Sequence, residues 1–528
     1  MLTTSRRASH RGRIDWSTLP LHPLLAAAYP VVFLFATNAA EQVTLAPLWG
    51  PLAMAVGGAM LALAIAAVIA RDWQRGALIA TVLVIGFFGY GHAWNAASGV
   101  LDSQWPLIGA WALLVVIGLI AAWRSSRWAH PATRALNLIA AIALLLNAWS
   151  VAGTMVGVAA GGTPGGGDAT VELAPPDPDD LPDVYYVILD RYAGPTALSD
   201  VYDFDNEPFF AALEERGFEV ARNAHSNYVK TPLSLVSSLN MEFLDAEALK
   251  AEAEDGKDRE PIHRAVGGRL AVPAALKALG YQYVHVSNWW TPSITNVDAD
   301  RTFHYDGQDE FSTVLAQTTL LRAFTEPEAA PSDPWDWRVL REHTLYGLDH
   351  LDAIPQLPGP KFVFAHLLIP HDPYVFDADG SFMDRAQVAD QGQPESYRRQ
   401  LSYANDRMIQ MVDNIIAAAS GDNAVIMIQA DEGPFPARMR ADEWGFQWRD
   451  ATDAELEEKF GILFAMRVPG ADLEAAGFHD RITAVNTFRV IFNARFGTDL
   501  PMLPDRVWTH ENLSHFYDFL EITDRLVR

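Results

Sequence analysis

Long apolar runs near 21–40, 47–70, 77–97, 106–123 and 135–159 dominate the first third of this 528-residue chain. Each approaches the ~20 residues needed to cross ~30 Å of hydrocarbon. They predict a bundle of about five transmembrane helices over residues 21–159, preceded by a short tail, 1–20. Pro30 interrupts the first run, which is the weakest. A cleaved signal peptide explains it poorly, because four further spans follow. The arginines set an expected orientation. Arg6, Arg7, Arg11 and Arg13 precede the first run, Arg71 and Arg75 separate the second from the third, and Arg124, Arg127 and Arg134 separate the fourth from the fifth. The two remaining loops carry only Glu41 and Asp102. With five spans, every basic cluster falls on one side, so the N-terminus is expected in the cytoplasm and the C-terminal part outside a cell (inner) membrane. His92, Trp94 and Asn95, near the outer end of the third run, suit interfacial anchors or a lipid headgroup contact.

Charge divides the chain at the same place. Residues 1–175 hold nine Arg, no Lys and six acidic residues, a net of +3, so the remainder carries −29 of the total −26. Two parts in two solvents explain this split. The acidic part lacks the basic face that a polyanion requires, which argues against nucleic acid as a partner. The chain has no cysteine, so disulfides, thiolate metal sites and a Cys nucleophile are excluded. Between the two parts, residues 160–182 contain GGTPGGGDATVELAPPDPDD, a flexible linker by composition.

Beyond the linker, residues 183–528 alternate short β-rich runs with helical patterns. The runs are DVYYVILD (183–190), GYQYVHVSN (280–288), KFVFAHLL (361–368), NAVIMIQAD (423–431) and GILFAMRVP (461–469); helix-like stretches include 207–216 and 397–419. Continuous apolar strands alternating with helices predict an α/β domain with a mainly parallel sheet covered on both faces. Active sites of such sheets gather at the strands' carboxyl ends. There the first run ends at Asp190, the third leads through His366 to His371, and the fourth ends at Asp431-Glu432. Carboxylates converging at one sheet edge repel unless a cation sits between them, and oxygen ligands suit Mg²⁺, Mn²⁺ or Ca²⁺. Taken singly, a strand-end Asp also serves as a helix cap or a salt-bridge partner.

DVYYVILDRY, the segment 204–241 ending in NYVKTPLSLVSSLNM, FAHLLIPHDPYVFDADG and VIMIQADEGP together resemble the sulfatase-like branch of the alkaline phosphatase superfamily, and within it the group that includes lipoteichoic acid synthases. The resemblance covers roughly residues 183–510 by motif and the whole chain by architecture. It implies an alkaline-phosphatase-like catalytic domain and a threonine nucleophile, here Thr231, bound to one divalent metal, Mn or Mg before Ca or Zn. The implied metal ligands are Asp190, Thr231, Asp431 and Glu432. Metal coordination lowers a hydroxyl's pKa and aligns it with phosphorus. Pro232 suits a first helical turn, whose N-terminus favours an anion; from local sequence alone, Thr231 reads equally well as an N-cap, with Ser234 as the fallback nucleophile. His366 and His371 would contact the transferred phosphoryl group or the leaving oxygen. Asn227, Trp289 and Trp290 are candidates for substrate binding, and His510 and Glu511 for an approach to the site.

Two departures stand out. The superfamily usually has Asp-His where this chain has Asp431-Glu432, which adds a negative charge and favours oxygen-preferring metals over Zn²⁺. Asp190 stands where lipoteichoic acid synthases have glutamate. No C/S-x-P-x-R motif occurs near Thr231, so sulfatase-type hydrolysis is the least favoured reading. The expected function is a membrane-anchored transferase or phosphodiesterase. It would move a phosphoglycerol or phosphoethanolamine head group from a membrane phospholipid donor to an envelope glycan or lipid acceptor, or to water. The alternative is a catalytically silent relative that binds envelope glycan or lipid.

Overall fold

The computed structural model describes residues 19–38, 45–101, 103–160, 171–174, 177, 181–305, 310–324, 336–418 and 421–526. Arg6, Arg7, Arg11, Arg13, Glu41, Asp102 and most of the 160–182 linker lie outside them. Two compact units emerge, one grouping Met1–Ala39, Leu45–Thr154 and Phe311–Pro334, the other the rest.

The first unit is helical. All five apolar runs form helices: α1 (His22–Thr37), α2 (Ala46–Ala70), α3 (Trp73–Ala97), α4 (Trp105–Trp123) and α5 (Ala129–Ala160). Four of them, α2 to α5, contain a stretch long and apolar enough to cross a membrane. The exception is α1, with 16 residues and Pro30 inside it; at 1.5 Å per residue it reaches about 24 Å, short of ~30 Å of hydrocarbon. The expected count of five, and the orientation that depends on it, therefore turn on α1. Asp72 caps α3 by accepting from the Gln74 and Arg75 amides. A Cβ at Gly76 would lie 2.5 Å from the Ala67 backbone, so glycine lets α2 and α3 cross closely. Two buried polar contacts tie the helices, His22 Nδ1 with Thr81 Oγ1 at 2.6 Å and Thr133 Oγ1 with Gln74 Oε1 at 2.6 Å, while His22 Nε2 has no partner.

The second unit is α/β. Its strands are β1 (Val184–Leu189), β2 (Glu219–Val220), β3 (Gln282–Val286), β4 (Arg301–Phe303), β5 (Lys361–Leu367), β6 (Val425–Gln429) and β7 (Phe464–Arg467), with a separate hairpin of β8 (Trp508–His510) and β9 (Phe519–Glu521). The main sheet runs β2-β7-β6-β1-β5-β3-β4. Strand β1 is central and parallel to both β5 and β6. Its Val-Tyr-Tyr-Val-Ile-Leu run is buried at every position, as a strand covered on both faces must be. The helix Gln393–Ala417 packs an apolar stripe of Leu401, Met408 and Val412 into the core. The five anticipated strands are present, each ending one or two residues short of the apolar run. The last, β7, pairs antiparallel to β6. Short β2, β4, β8 and β9 had no clear signal, because two or three residues hold no periodicity.

Candidate metal and nucleophile site

Three adjacent strands deliver the site. Val187 and Ile188 of β1 sit level with Ala365 and His366 of β5, and Ile188 with Gln429 of β6. Asp190 follows β1 directly, His366 is the penultimate residue of β5, and Asp431 lies two residues beyond β6, so parallel pairing brings all three to one edge. A ligand atom from each falls within 4.8 Å of the others. All three residues are buried, at 3%, 0% and 1% exposure. His366 Nε2 lies 3.4 Å from Asp190 Oδ2.

Asp190 Oδ1, both Asp431 oxygens, Glu432 Oε2 and His366 Nε2 are buried with no hydrogen bond of ordinary geometry. Buried polar atoms are nearly always satisfied, and the orphaned atoms of Asp190, His366 and Asp431 converge closely enough to share one cation. A divalent metal fits these residues: carboxylate oxygens and one imidazole suit Mn²⁺, Mg²⁺ or Zn²⁺. Burial, with Asp190 and Glu432 beside it, pushes the Asp431 carboxyl well above the usual range, against the pull of the Thr231 hydroxyl. Burial also works to raise Asp190, but His371, His366 and Arg191 outweigh it and hold its carboxyl low.

Thr231 is the first residue of the helix Thr231–Asn240, entered from Lys230 in an extended conformation with Pro232 next. Half-buried, its hydroxyl faces Asp431. Ser234 is different: its Oγ donates to the Tyr228 carbonyl at 3.0 Å, and it is buried at 2% exposure.

Glu432 points to cations. Lys459 Nζ is 2.9 Å from its Oε1 and Arg191 Nε is 3.6 Å away. Lys459 is fully buried and also donates to the Gly433 carbonyl at 2.9 Å. Arg191, Lys230 and Lys459 all stack on the Phe435 ring, at 4.2, 4.1 and 3.8 Å from its centroid. Burial brings Lys230 down to about 7, with Glu432 resisting. Three cations thus gather beside three carboxylates. Arg191 also pairs with Asp372.

His371 reaches the same place from the loop after β5 and lies close enough to Asp190 to lower it. Burial and Arg191 lower its own pKa. Trp289 meets the His371 ring edge-on at 6.0 Å, and Trp290 meets His366 at 5.9 Å. Asn288 Nδ2 reaches the His366 carbonyl at 2.8 Å and its Nδ1 at 3.2 Å; Ser293 Oγ donates to Asn288 Oδ1 at 3.0 Å and lies 3.4 Å from the same Nδ1. Together they hold the imidazole. Asn227 is spent elsewhere: its Nδ2 donates to the Arg506 carbonyl and its Oδ1 accepts from the Val485 amide. His510 is buried beside Phe516, and Glu511 pairs with Arg449 at the surface.

Sequence reading missed Arg191, Lys230, Lys459, Phe435, Asn288 and Ser293. Arg191 and Lys230 had a signal in being neighbours of Asp190 and Thr231. Lys459 had none, since it ends an ordinary amphipathic helix, Asp453–Phe460.

No family model and no curated protein matches the chain. Among solved structures it is similar to the C-terminal periplasmic domain of EcEptC from Escherichia coli, at 14% identity over 68% of this chain and 99% of that one, with a TM-score of 0.43. It is also similar to the C-terminal periplasmic domain of phosphoethanolamine transferase EptC from Campylobacter jejuni, at 12% identity over 60% and 91%, TM-score 0.36. A third is lipoteichoic acid synthase LtaP from Listeria monocytogenes, at 11% identity over 63% and 78%, TM-score 0.38.

Proposed function

We propose that this chain is a membrane-anchored, metal-dependent transferase or phosphodiesterase that moves the phospho-alcohol head group of a membrane lipid through Thr231. The observation that carries the reading is the set of orphaned acceptors beside a helix-starting threonine, ringed by Arg191, Lys230 and Lys459. Asp190, His366 and Asp431, with the Thr231 hydroxyl, would hold the metal. Glu432 keeps Lys459 and Arg191 in place and is not itself a ligand in this reading. The metal supplies a lowered hydroxyl pKa and a counter-charge for phosphoryl oxygens.

The rest belongs to the protein's own side chains. Thr231 Oγ1 attacks phosphorus and gives up its proton towards the Asp431 carboxylate. The new O–P bond forms as the bond to the diacylglycerol oxygen breaks, and His371 at the rim protonates that leaving oxygen. Lys230 and Arg191 offset the charge on the free phosphoryl oxygens. Trp289 and Trp290 flank the alcohol moiety. Water, or the hydroxyl of an envelope glycan or lipid, then displaces Thr231 and restores its proton. In this reading the domain lies outside the cytoplasm beside the bilayer, where tethering raises the effective donor concentration.

Incubating the detergent-solubilised chain with Mn²⁺ and phosphatidylethanolamine or phosphatidylglycerol tests the reading by mass spectrometry of the peptide containing residues 226–241. A phosphoethanolamine or glycerophosphate adduct on Thr231 is expected. An adduct on Ser234 sinks the choice of nucleophile, and neither adduct nor turnover with any phospholipid leaves a silent binding protein.

A further inference from the structure

Between β4 and β5 the chain leaves the α/β fold, and Phe311–Pro334 groups with the helical unit. Its described part is a helix, Glu310–Thr318, and a 3₁₀ turn, Leu320–Ala323. Phe311 packs edge-on against Phe35 of α1 at 5.6 Å, with both rings buried. A Cβ at Gly91 of α3 would fall 2.2 Å from the Gln317 carbonyl oxygen, so only glycine admits the insert there. One turn further along α3, Arg322 Nη1 donates to Asn95 Oδ1 at 2.7 Å. The insert is thus seated on α3 by shape as well as by hydrogen bonding.

Beneath it lies a cavity of about 490 Å³. Ala55 and Ala59 of α2, Val84 and Phe88 of α3, and Leu315 and Ala316 of the insert are among its walls. The lining is almost wholly apolar, so water has few partners there. Helices α2 and α3 both qualify as membrane spans, so the medium that reaches their flanks is hydrocarbon. The space equals about one turn of a helix 10–12 Å across, too little for a partner helix. The cavity runs from the half of α2 away from Arg71 to the middle of α3, and the insert closes its side towards Asn95. There Leu321 and Phe324 of the insert are 49% and 82% exposed on either side of Arg322. Exposed apolar residues flanking a cation are how a segment sits at a membrane interface.

We infer that the insert and the α2–α3 face form a binding site for one glycerophospholipid, with an acyl chain in the cavity and the phosphate at Arg322. A guanidinium matches phosphate oxygens in geometry and charge, and hydrocarbon restores the contacts that an empty apolar void forfeits. The site requires a membrane-embedded bundle and is independent of the chemistry at Thr231.

The test uses the full chain in phospholipid bilayer discs doped with phosphatidylethanolamine carrying a diazirine in one acyl chain. After irradiation, adducts are mapped by peptide mass spectrometry. Labelling should concentrate on Met54, Phe88 and Leu315, severalfold above Leu145, Leu146 and Trp149 of α5, although those three are 68%, 68% and 82% exposed and Leu315 only 8%. Filling the space with Ala316→Phe should remove the excess and leave α5 labelling unchanged. Arg322→Gln should lower it, and Arg322→Lys should restore part of it, because a charge without the planar fork still attracts phosphate. Even labelling of all lipid-facing helices, or an excess that survives both Ala316→Phe and Arg322→Gln, overturns the site. Thr231→Ala should label like the unaltered chain, which separates this result from the fate of the proposed reaction.

Discussion

The helical unit and the α/β unit follow opposite rules for what may be buried. In α4 and α5 only 6% of the apolar window is buried inside the protein, and Leu145, Leu146 and Trp149 stand 68%, 68% and 82% exposed. In the α/β unit the apolar strands are buried throughout, with β1, β5 and β6 hidden at every position. Polar groups reverse the pattern. The bundle pairs His22 Nδ1 with Thr81 and Thr133 with Gln74, leaving His22 Nε2 alone of these without a partner, whereas the α/β unit gathers unpaired carboxylate and imidazole atoms at one sheet edge. Hydrocarbon cannot relieve an unpaired polar group, so the bundle must satisfy its own. A domain in water can keep orphans where a ligand is to satisfy them.

The widest gap between the two units should open at Thr231. Thr231→Ala should lower phospholipid turnover by about three or more orders of magnitude, because metal and hydrogen bonds give only residual catalysis. Melting temperature and Mn²⁺ affinity should barely move. Ser234→Ala should retain most of the rate, and a variant at Thr231 that turns over normally would remove the site's defining residue.

Next comes Lys459→Met. It leaves buried Glu432 with only Arg191, 3.6 Å away, beside the other carboxylates and should cost about 3–5 kcal/mol, as breaking one side of a buried ion pair does. The double variant Glu432→Gln with Lys459→Met should recover much of that loss in chemical denaturation. Glu432→Gln alone should change Mn²⁺ affinity far less than Asp431→Asn. Equal losses would make Glu432 a metal ligand after all.

The orphaned acceptors then predict how metal and pH interact. Asp431 is raised in the folded state, so its protonated form stabilises the metal-free fold at low pH, and that contribution is lost as pH rises through its folded value. Asp190, held low, works in the opposite sense, present above the ordinary carboxylate range and lost in acid. Metal should therefore stabilise the chain more at pH 8 than at pH 5. The gain should be about 2.7 kcal/mol at a hundredfold excess over Kd, read as a shift in thermal unfolding. Identical shifts at both pH values, or none with chelator, would erase the contrast between the units.

The smallest effect is in the bundle. Leu146→Ala, on a lipid-facing surface, should alter stability in detergent by about 0.5 kcal/mol or less. Ile428→Ala in buried β6 should cost about 2–5 kcal/mol. Comparable losses would mean that α5 is packed against protein.

Much of this molecule was legible in one dimension. The five apolar runs became five helices, and the five apolar strands formed a sheet whose ends carry Asp190, His366 and Asp431, because length, hydropathy and strand burial are local properties. Local patterns marked the first run as the weakest through Pro30, and the structure gives its helix 16 residues. Tertiary structure alone assigned Glu432 to Lys459, some 27 residues along the chain. It also spent Asn227 on two backbone partners and bonded Ser234 to a carbonyl. Nor did residues 311–324 announce that they join the bundle, because EFSTVLAQT reads as an ordinary amphipathic helix. A side chain's type limits the chemistry open to it. Which partner it meets depends on loops whose closure costs entropy with no periodic signature.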